Sequence, residues 1–271
     1  CVFGDAAATG GSRFGRASGW GDSYAIWGFM SACANSALTA ARHMALYGTT
    51  SRQLGEIAVA CRKHASMNPN AVMRKPITIE DHQNSRWIVK PLRLFDCCLI
   101  SDGGVCVIVT TKERAKDLKQ PLVLISGMGQ GYTTENMERE DWWYVPHQKL
   151  AVNDAYDMAG VGPKDIDVAQ LYDNFTSSVL LWFEHGGFCK VGESGPFVEG
   201  GRIQLGGELP INTAGGNLSE SYMEGWLHIV EGARQMRGEC GERQVKGAEV
   251  CLVTGRGQAL NCSNATILRK G

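Results

Sequence analysis

Residues 167–187 read DVAQLYDNFTSSVLLWFEHGG, and the change of period inside this stretch decides the fold. The apolar run up to Leu171 and Tyr172 predicts a strand over 167–172. After the short polar segment of Asp173 and Asn174, a dense apolar run predicts a helix over about 176–186, closed by Gly186 and Gly187. Strand, polar turn and apolar helix form the repeating unit of a layered α/β protein.

The same alternation extends in both directions. Upstream, a strand is expected over 121–127 and a helix over 146–160. Downstream lie a Gly-rich stretch over 186–216, a helix over 221–238, and strands near 248–254 and 262–268. Nearer the start, residues 21–48 carry helical periodicity with Gly48 as a stop. A second helix runs from Thr50, a cap, to His64, with Leu54, Ile57, Ala58 and Cys61 on one face. Residues 68–85 read as a loop with a short helix near Ile79. The tetrad Ser101-Asp102-Gly103-Gly104 reads as a turn before a strand from Val105 to Thr110, whose unbroken apolar run suggests cover on both faces. Lys112 to Lys119 is charged and reads as an exposed link. The residues at the start, CVFGDAA, look like the end of a buried strand, so part of the domain is expected to lie upstream of Cys1.

The chain has 271 residues, 44% of them apolar and 20% charged, enough for a sizeable core. A net charge of −1 lacks the basic excess of a general nucleic-acid binder. No apolar run is long enough to span a bilayer. Ten cysteines are scattered, with Cys97 and Cys98 adjacent and without metal-ligand spacing, which suggests free thiols in a reducing, cytoplasmic setting and no metal site.

Several stretches together resemble the thiolase superfamily, in the branch of the sterol-carrier-protein-type thiolases. These are ALTAARHMALYGTTSRQLGEIAVACRKHASMNPNAV, ITIEDHQNSRWIVKPLRLFDCCLISDGGVCVIVTT, and the run from ISGMGQG to the end. The resemblance implies a layered αβαβα thiolase fold of two related halves. Residues 1–120 would be the remainder of the first half with its cap loop, and residues 121–271 the second half. About 100 residues would precede Cys1, since a βαβ unit takes roughly 30 or more, and the family's nucleophilic cysteine would lie among them.

Two family motifs are rewritten here around tyrosines. The Asn-Glu-x-Phe or His-Asp-Cys-Phe motif reads Tyr172-Asp173-Asn174-Phe175. The Gly-Gly…Gly-His-Pro-x-Gly motif reads from Gly215-Gly216 to Tyr222-Met223-Glu224-Gly225, with Tyr222 at the histidine's place. The late Cys-x-Gly motif survives as Val253-Thr254-Gly255 without its cysteine. Tyrosine, with an ordinary pKa near 10, is a poor base for a thiol. As a hydroxyl donor and acceptor it suits a retro-aldol cleavage, which removes a proton from a β-hydroxyl and stabilises an enolate.

The pattern resembles the thiolase-like steroid side-chain aldolases that pair with a DUF35/OB-fold subunit. It implies cleavage of a β-hydroxyacyl-CoA to a ketone and a short acyl-CoA such as propionyl-CoA. Tyr172, Tyr222 and Asp173 are the catalytic candidates. Asn174, Gly215, Gly216, Ser221 and His185 are the substrate-binding candidates. No cofactor beyond the substrate's CoA is expected in this chain, any zinc belongs to the partner, and a homodimer within a heterotetramer is implied. Two rivals stand beside this reading: an acyltransferase using a cysteine upstream of Cys1, and a non-catalytic acyl-CoA or lipid-binding subunit. For Asp173 a plain helix cap is an equal alternative, and for His185 a packing role is the better one.

Overall fold

The computed structural model describes residues 1–10, 31–133, 141–257 and 262–271. β1 (Val2–Ala6) is followed, after residues outside the described set, by α1 (Ala32–Tyr47). The portion of the expected first helix over 21–30 lies outside the described residues. Ser31 caps α1 by accepting from the Ala34 amide, and Gly48, at φ 73°, closes it with its N–H on the Met44 carbonyl. α2 (Ser51–Ser66) starts from a reciprocal capping box between Thr50 and Gln53. A short α3 (Ile79–Asn84) and a small hairpin of β2 (Trp87–Val89) and β3 (Leu92–Arg93) follow.

The next strand departs from expectation. β4 (Asp102–Cys106) begins within the residues expected to turn, and it pairs antiparallel with β1, placing Gly103 opposite Asp5 and Gly104 opposite Gly4. Asp102 anchors the pair by accepting the Ala8 and Thr9 amides at 2.8 and 3.2 Å. With one hydrogen-bonded neighbour each, the two strands are largely exposed in this chain: Val2 is 79% exposed, and Ile108, just past the end of β4, 84%. Expectations of cover on both faces of 105–110, and of a buried strand end at Cys1, are corrected accordingly.

The main sheet is built from β5 (Val123–Tyr132), β6 (Val168–Gln170), β7 (Val250–Gly257) and β8 (Cys262–Lys270), in the order β5-β8-β7-β6. Only β6 and β7 run parallel, and a bridge from Ala169 to Ile211 continues the sheet past β6. α4 (His147–Ala159) lies against β5. Alternating glycines make this possible: a Cβ on Gly127, Gly129 or Gly131 would come within 2.1 Å of a backbone carbonyl of α4. α5 (Thr176–His185) is buried along its whole length, with Trp182 and Phe183 fully enclosed. A helix enclosed on every face belongs in the middle of a layered fold. α6 (Trp226–Arg237) covers the sheet elsewhere and approaches closely at Gly232, where a Cβ would sit 2.9 Å from Val253 Cγ2. It begins five residues later than expected, because Glu224 and Gly225 hold φ of 51° and 83°.

All ten cysteines are free; Cys106, expected to be buried, is exposed. Among the described residues no helix is long and apolar enough to cross a membrane.

The glycine face of β5 generates a test. Gly129→Ala should lower the stability of the protein by about 1–3 kcal/mol through overpacking against α4. Urea unfolding measures this, and an unchanged midpoint would contradict the close approach.

Candidate functional site

Both tyrosines come from loops at one end of the sheet. At the end of β6 the chain loses its neighbouring rung, and Asn212 replaces it. The Leu171 amide donates to Asn212 Oδ1 at 2.7 Å, and Asn212 Nδ2 donates to the Leu171 carbonyl at 2.9 Å. The next residue, Tyr172, is fixed on the other side, its amide donating to Thr254 Oγ1 at 2.9 Å. Thr254 is the middle residue of the late motif, so the position beside the lost cysteine now holds Tyr172's backbone.

Tyr222 follows a single helical turn, Gly216–Ser219. Its amide donates to Ser101 Oγ at 2.8 Å, and the neighbouring Ser221 hydroxyl donates to the same oxygen at 3.0 Å. Residue 101, expected only to turn the chain, therefore anchors this loop.

The two tyrosine hydroxyls meet at 2.9 Å, and Tyr222 Oη also donates to Glu224 Oε2 at 3.1 Å. Both phenols are buried, Tyr172 at 2% and Tyr222 at 6% exposure. Loss of solvent pushes both well above the ordinary phenol range, and the Glu224 charge adds to the effect. Both hydroxyls thus hold their protons at rest. The thiol of Cys98 acts on the same pair and is itself raised by burial and by Asp173, which keeps it protonated.

Asp173 does not touch the hydroxyls. Fully buried, its carboxylate accepts the amides of Asn217 and Leu218 at 2.8 and 3.3 Å, joining the tyrosine motif to the Gly-rich motif. His228 Nε2 lies 3.0 Å from the same carboxylate and 2.9 Å from the Leu171 carbonyl. Both partners accept, so that nitrogen carries the proton. Asp173 is an orienting group between two loops.

The remaining candidates divide. Gly215 and Gly216, at φ 111° and 62°, allow the turn to close: a Cβ would sit 2.6 Å from Ala65 Cβ in the first case and 2.2 Å from Asp173 Oδ2 in the second. Asn174 lies two residues before α5, its Oδ1 accepting from the Ser178 hydroxyl, and its carbonyl accepts the Cys98 amide at 2.9 Å. Ser221 stays at the site through Ser101. His185 does not reach it. It lies at the far end of α5, about 15 Å along the helix, with Nε2 2.6 Å from the Tyr144 carbonyl and its pKa lowered to about 4, mainly by burial.

Glu224, Ser101, Thr254 and Asn212 were not site candidates in the sequence. Glu224 alone had a local signal, a carboxylate two residues beyond Tyr222. Among the described residues no group of three His, Cys, Asp or Glu side chains is arranged to hold a metal ion.

These features define a layered α/β protein of the thiolase class, with a tyrosine pair where that class usually places other chemistry. The thiolase C-terminal domain-like family model matches residues 129–270, and the chain belongs to that family. It is 46% identical to the 17-hydroxy-3-oxo-4-pregnene-20-carboxyl-CoA lyase of Mycobacterium tuberculosis, over 84% of this chain and 60% of the relative. It is 44% identical to a steroid side-chain-cleaving aldolase of Thermomonospora curvata, over 82% of this chain and 58% of the relative. Among solved structures, the Ltp2–ChsH2(DUF35) aldolase superposes with a TM-score of 0.91 at 39% identity, covering all of this chain and 72% of that one. The chain thus spans about 60% of the length of these curated relatives.

One carboxyl in the Gly-rich motif sets a pH dependence. Glu220 accepts from Asn68 Nδ2 at 3.1 Å, and burial, then the nearby Glu231, push it from 4.5 up to about 7. The folded protein keeps a proton there that the unfolded chain releases above pH 4.5. Stability should therefore fall as pH rises from about 4.5 to 7, by as much as about 3 kcal/mol. Glu220→Gln, which keeps an acceptor for Asn68, should flatten this fall in thermal unfolding scans. Parallel wild-type and variant curves across that window would contradict it.

Proposed function

We propose that the protein carrying this chain is a carbon–carbon lyase that performs retro-aldol cleavage of a β-hydroxyacyl-CoA with a bulky steroid side chain. The observation that carries this reading is the 2.9 Å contact between the Tyr172 and Tyr222 hydroxyls, set in two thiolase motifs. The names of the relatives from M. tuberculosis and T. curvata, a pregnene-carboxyl-CoA lyase and a steroid side-chain-cleaving aldolase, support the substrate class.

The chemistry follows from what the pair can do. The bond between the α- and β-carbons breaks, and its electrons move onto the thioester as an enolate. The β-hydroxyl loses its proton and becomes a ketone. The enolate takes up a proton at the α-carbon and leaves as a shorter acyl-CoA, propionyl-CoA for a three-carbon fragment. No electron is gained or lost, so the step balances with the CoA of the substrate alone. Two protonated phenols in a buried site supply hydrogen-bond donors and a proton-transfer path, where a thiolase would need a thiolate and a base.

The likeness to the Ltp2–ChsH2(DUF35) aldolase supports a DUF35 partner subunit for this protein too, which would hold any zinc. A homodimer of this chain's protein within a heterotetramer, working in the cytoplasm, completes the proposal.

The test is turnover of a tertiary β-hydroxyacyl-CoA by the intact protein with its DUF35 partner, read by product mass. Wild type should release a ketone and a shorter acyl-CoA, while Tyr172→Phe should lower kcat about 100-fold or more with little change in KM. Acyl transfer to CoA instead of cleavage would mark the acyltransferase. Binding without turnover would mark a non-catalytic subunit.

A further inference from the structure

We propose that Glu224 is a positioning residue that ends a proton relay running from the substrate hydroxyl through Tyr172 and Tyr222 to its carboxylate. This inference rests on the retro-aldol reading and specifies how that site moves its proton.

Hydrogen-bond direction is the first support. Each phenol has one proton to give. Tyr222 gives its proton to Glu224 Oε2 at 3.1 Å, so in the 2.9 Å contact between the phenols Tyr172 is the donor. Tyr172 Oη then presents a lone pair, and the substrate's β-hydroxyl is the donor that fits it. All bonds along the chain point the same way, toward the carboxylate.

Backbone geometry is the second support. Glu224 is one of three described non-glycine residues with positive φ, at 51°. Such a conformation costs about 1–3 kcal/mol and persists where surrounding structure holds it. Gly225 follows at φ 83°, and a Cβ there would sit 2.9 Å from Tyr172 Cδ2. The loop thus passes against the Tyr172 ring on a glycine, which brings the carboxylate back to the Tyr222 hydroxyl.

Relative basicity is the third. Burial raises both phenols, so neither is a resting base, whereas a carboxylate is ionised far below their range. As the α–β bond breaks, the β-oxygen gains carbonyl character and its proton becomes acidic. That proton passes to Tyr172, the Tyr172 proton to Tyr222, and the Tyr222 proton to Glu224. Tyr172 then gives a proton to the α-carbon of the enolate, Tyr222 returns one to Tyr172 and Glu224 returns one to Tyr222, so every group regains its starting state. Cys98, from the loop before β4, and Arg256, on β7, are the other ionisable groups acting on Tyr172. Arg256 favours negative charge on the Tyr172 oxygen as its proton moves.

The experiment compares wild type with Glu224→Gln in the complex with the DUF35 partner, using a tertiary β-hydroxyacyl-CoA. Glutamine retains an acceptor for Tyr222 but does not take up the proton. The expected result is a kcat lowered about 100-fold, KM within about threefold, and loss of the acid limb of the kcat–pH profile. A purely structural Glu224 would leave all three nearly unchanged, and that result overturns the proposal. Inactive wild type overturns the lyase reading and the relay together, while active wild type with an equally active variant overturns the relay alone.

Discussion

The buried carboxylate of Asp173 is the interaction on which the site depends. It takes two amides of the Gly-rich turn and faces the protonated nitrogen of His228, so three segments distant in sequence meet on one group. A buried carboxylate is stable only when its lone pairs are occupied, and here two backbone amides and the His228 N–H occupy them. Removing it would leave those amides unpaired and free the turn that leads to Tyr222. The tyrosine contact is a consequence of this tie.

Glycines set the distances around it. Gly216 lets the turn touch Asp173, Gly225 lets the chain pass the Tyr172 ring, and the alternating glycines of β5 bring α4 flush with the sheet. Each is a place where a side chain would force two elements apart. With the elements this close, a phenol–phenol–carboxylate chain fits where a thiolase motif would place a histidine and a cysteine. Low solvent access then keeps the phenols protonated and strengthens the hydrogen bonds that link them.

Much of this was legible in the sequence, for identifiable reasons. Helices announced themselves through a cap at Thr50 and a stop at Gly48, which act within a few residues. Tyr172 and Tyr222 stood out because they occupy recognisable motif frames. The rest depended on long-range geometry. The apolar run after Gly104 looks identical whether a strand has one neighbour or two, and only the pairing with β1 shows which. Ser101 and Thr254 act by accepting single backbone amides more than 80 residues away, which leaves no local pattern. His185 follows an apolar helix, as a site residue would, yet its helix carries it away from the tyrosines. Glu224 sat in view beside Tyr222, but its role appears only once the positive φ at 224 and 225 folds the side chain back.

The central claim is that the tyrosine pair receives a β-hydroxyl. A crystal structure of the intact complex with a β-hydroxyalkyl-CoA thioether tests it most directly, since that analogue keeps the hydroxyl but lacks the carbonyl needed for cleavage. The account predicts the β-oxygen within about 3.2 Å of Tyr172 Oη, with Tyr222 and Glu224 in line behind it. A β-oxygen bound out of reach of both phenols, with the tyrosine pair still in contact, would contradict it.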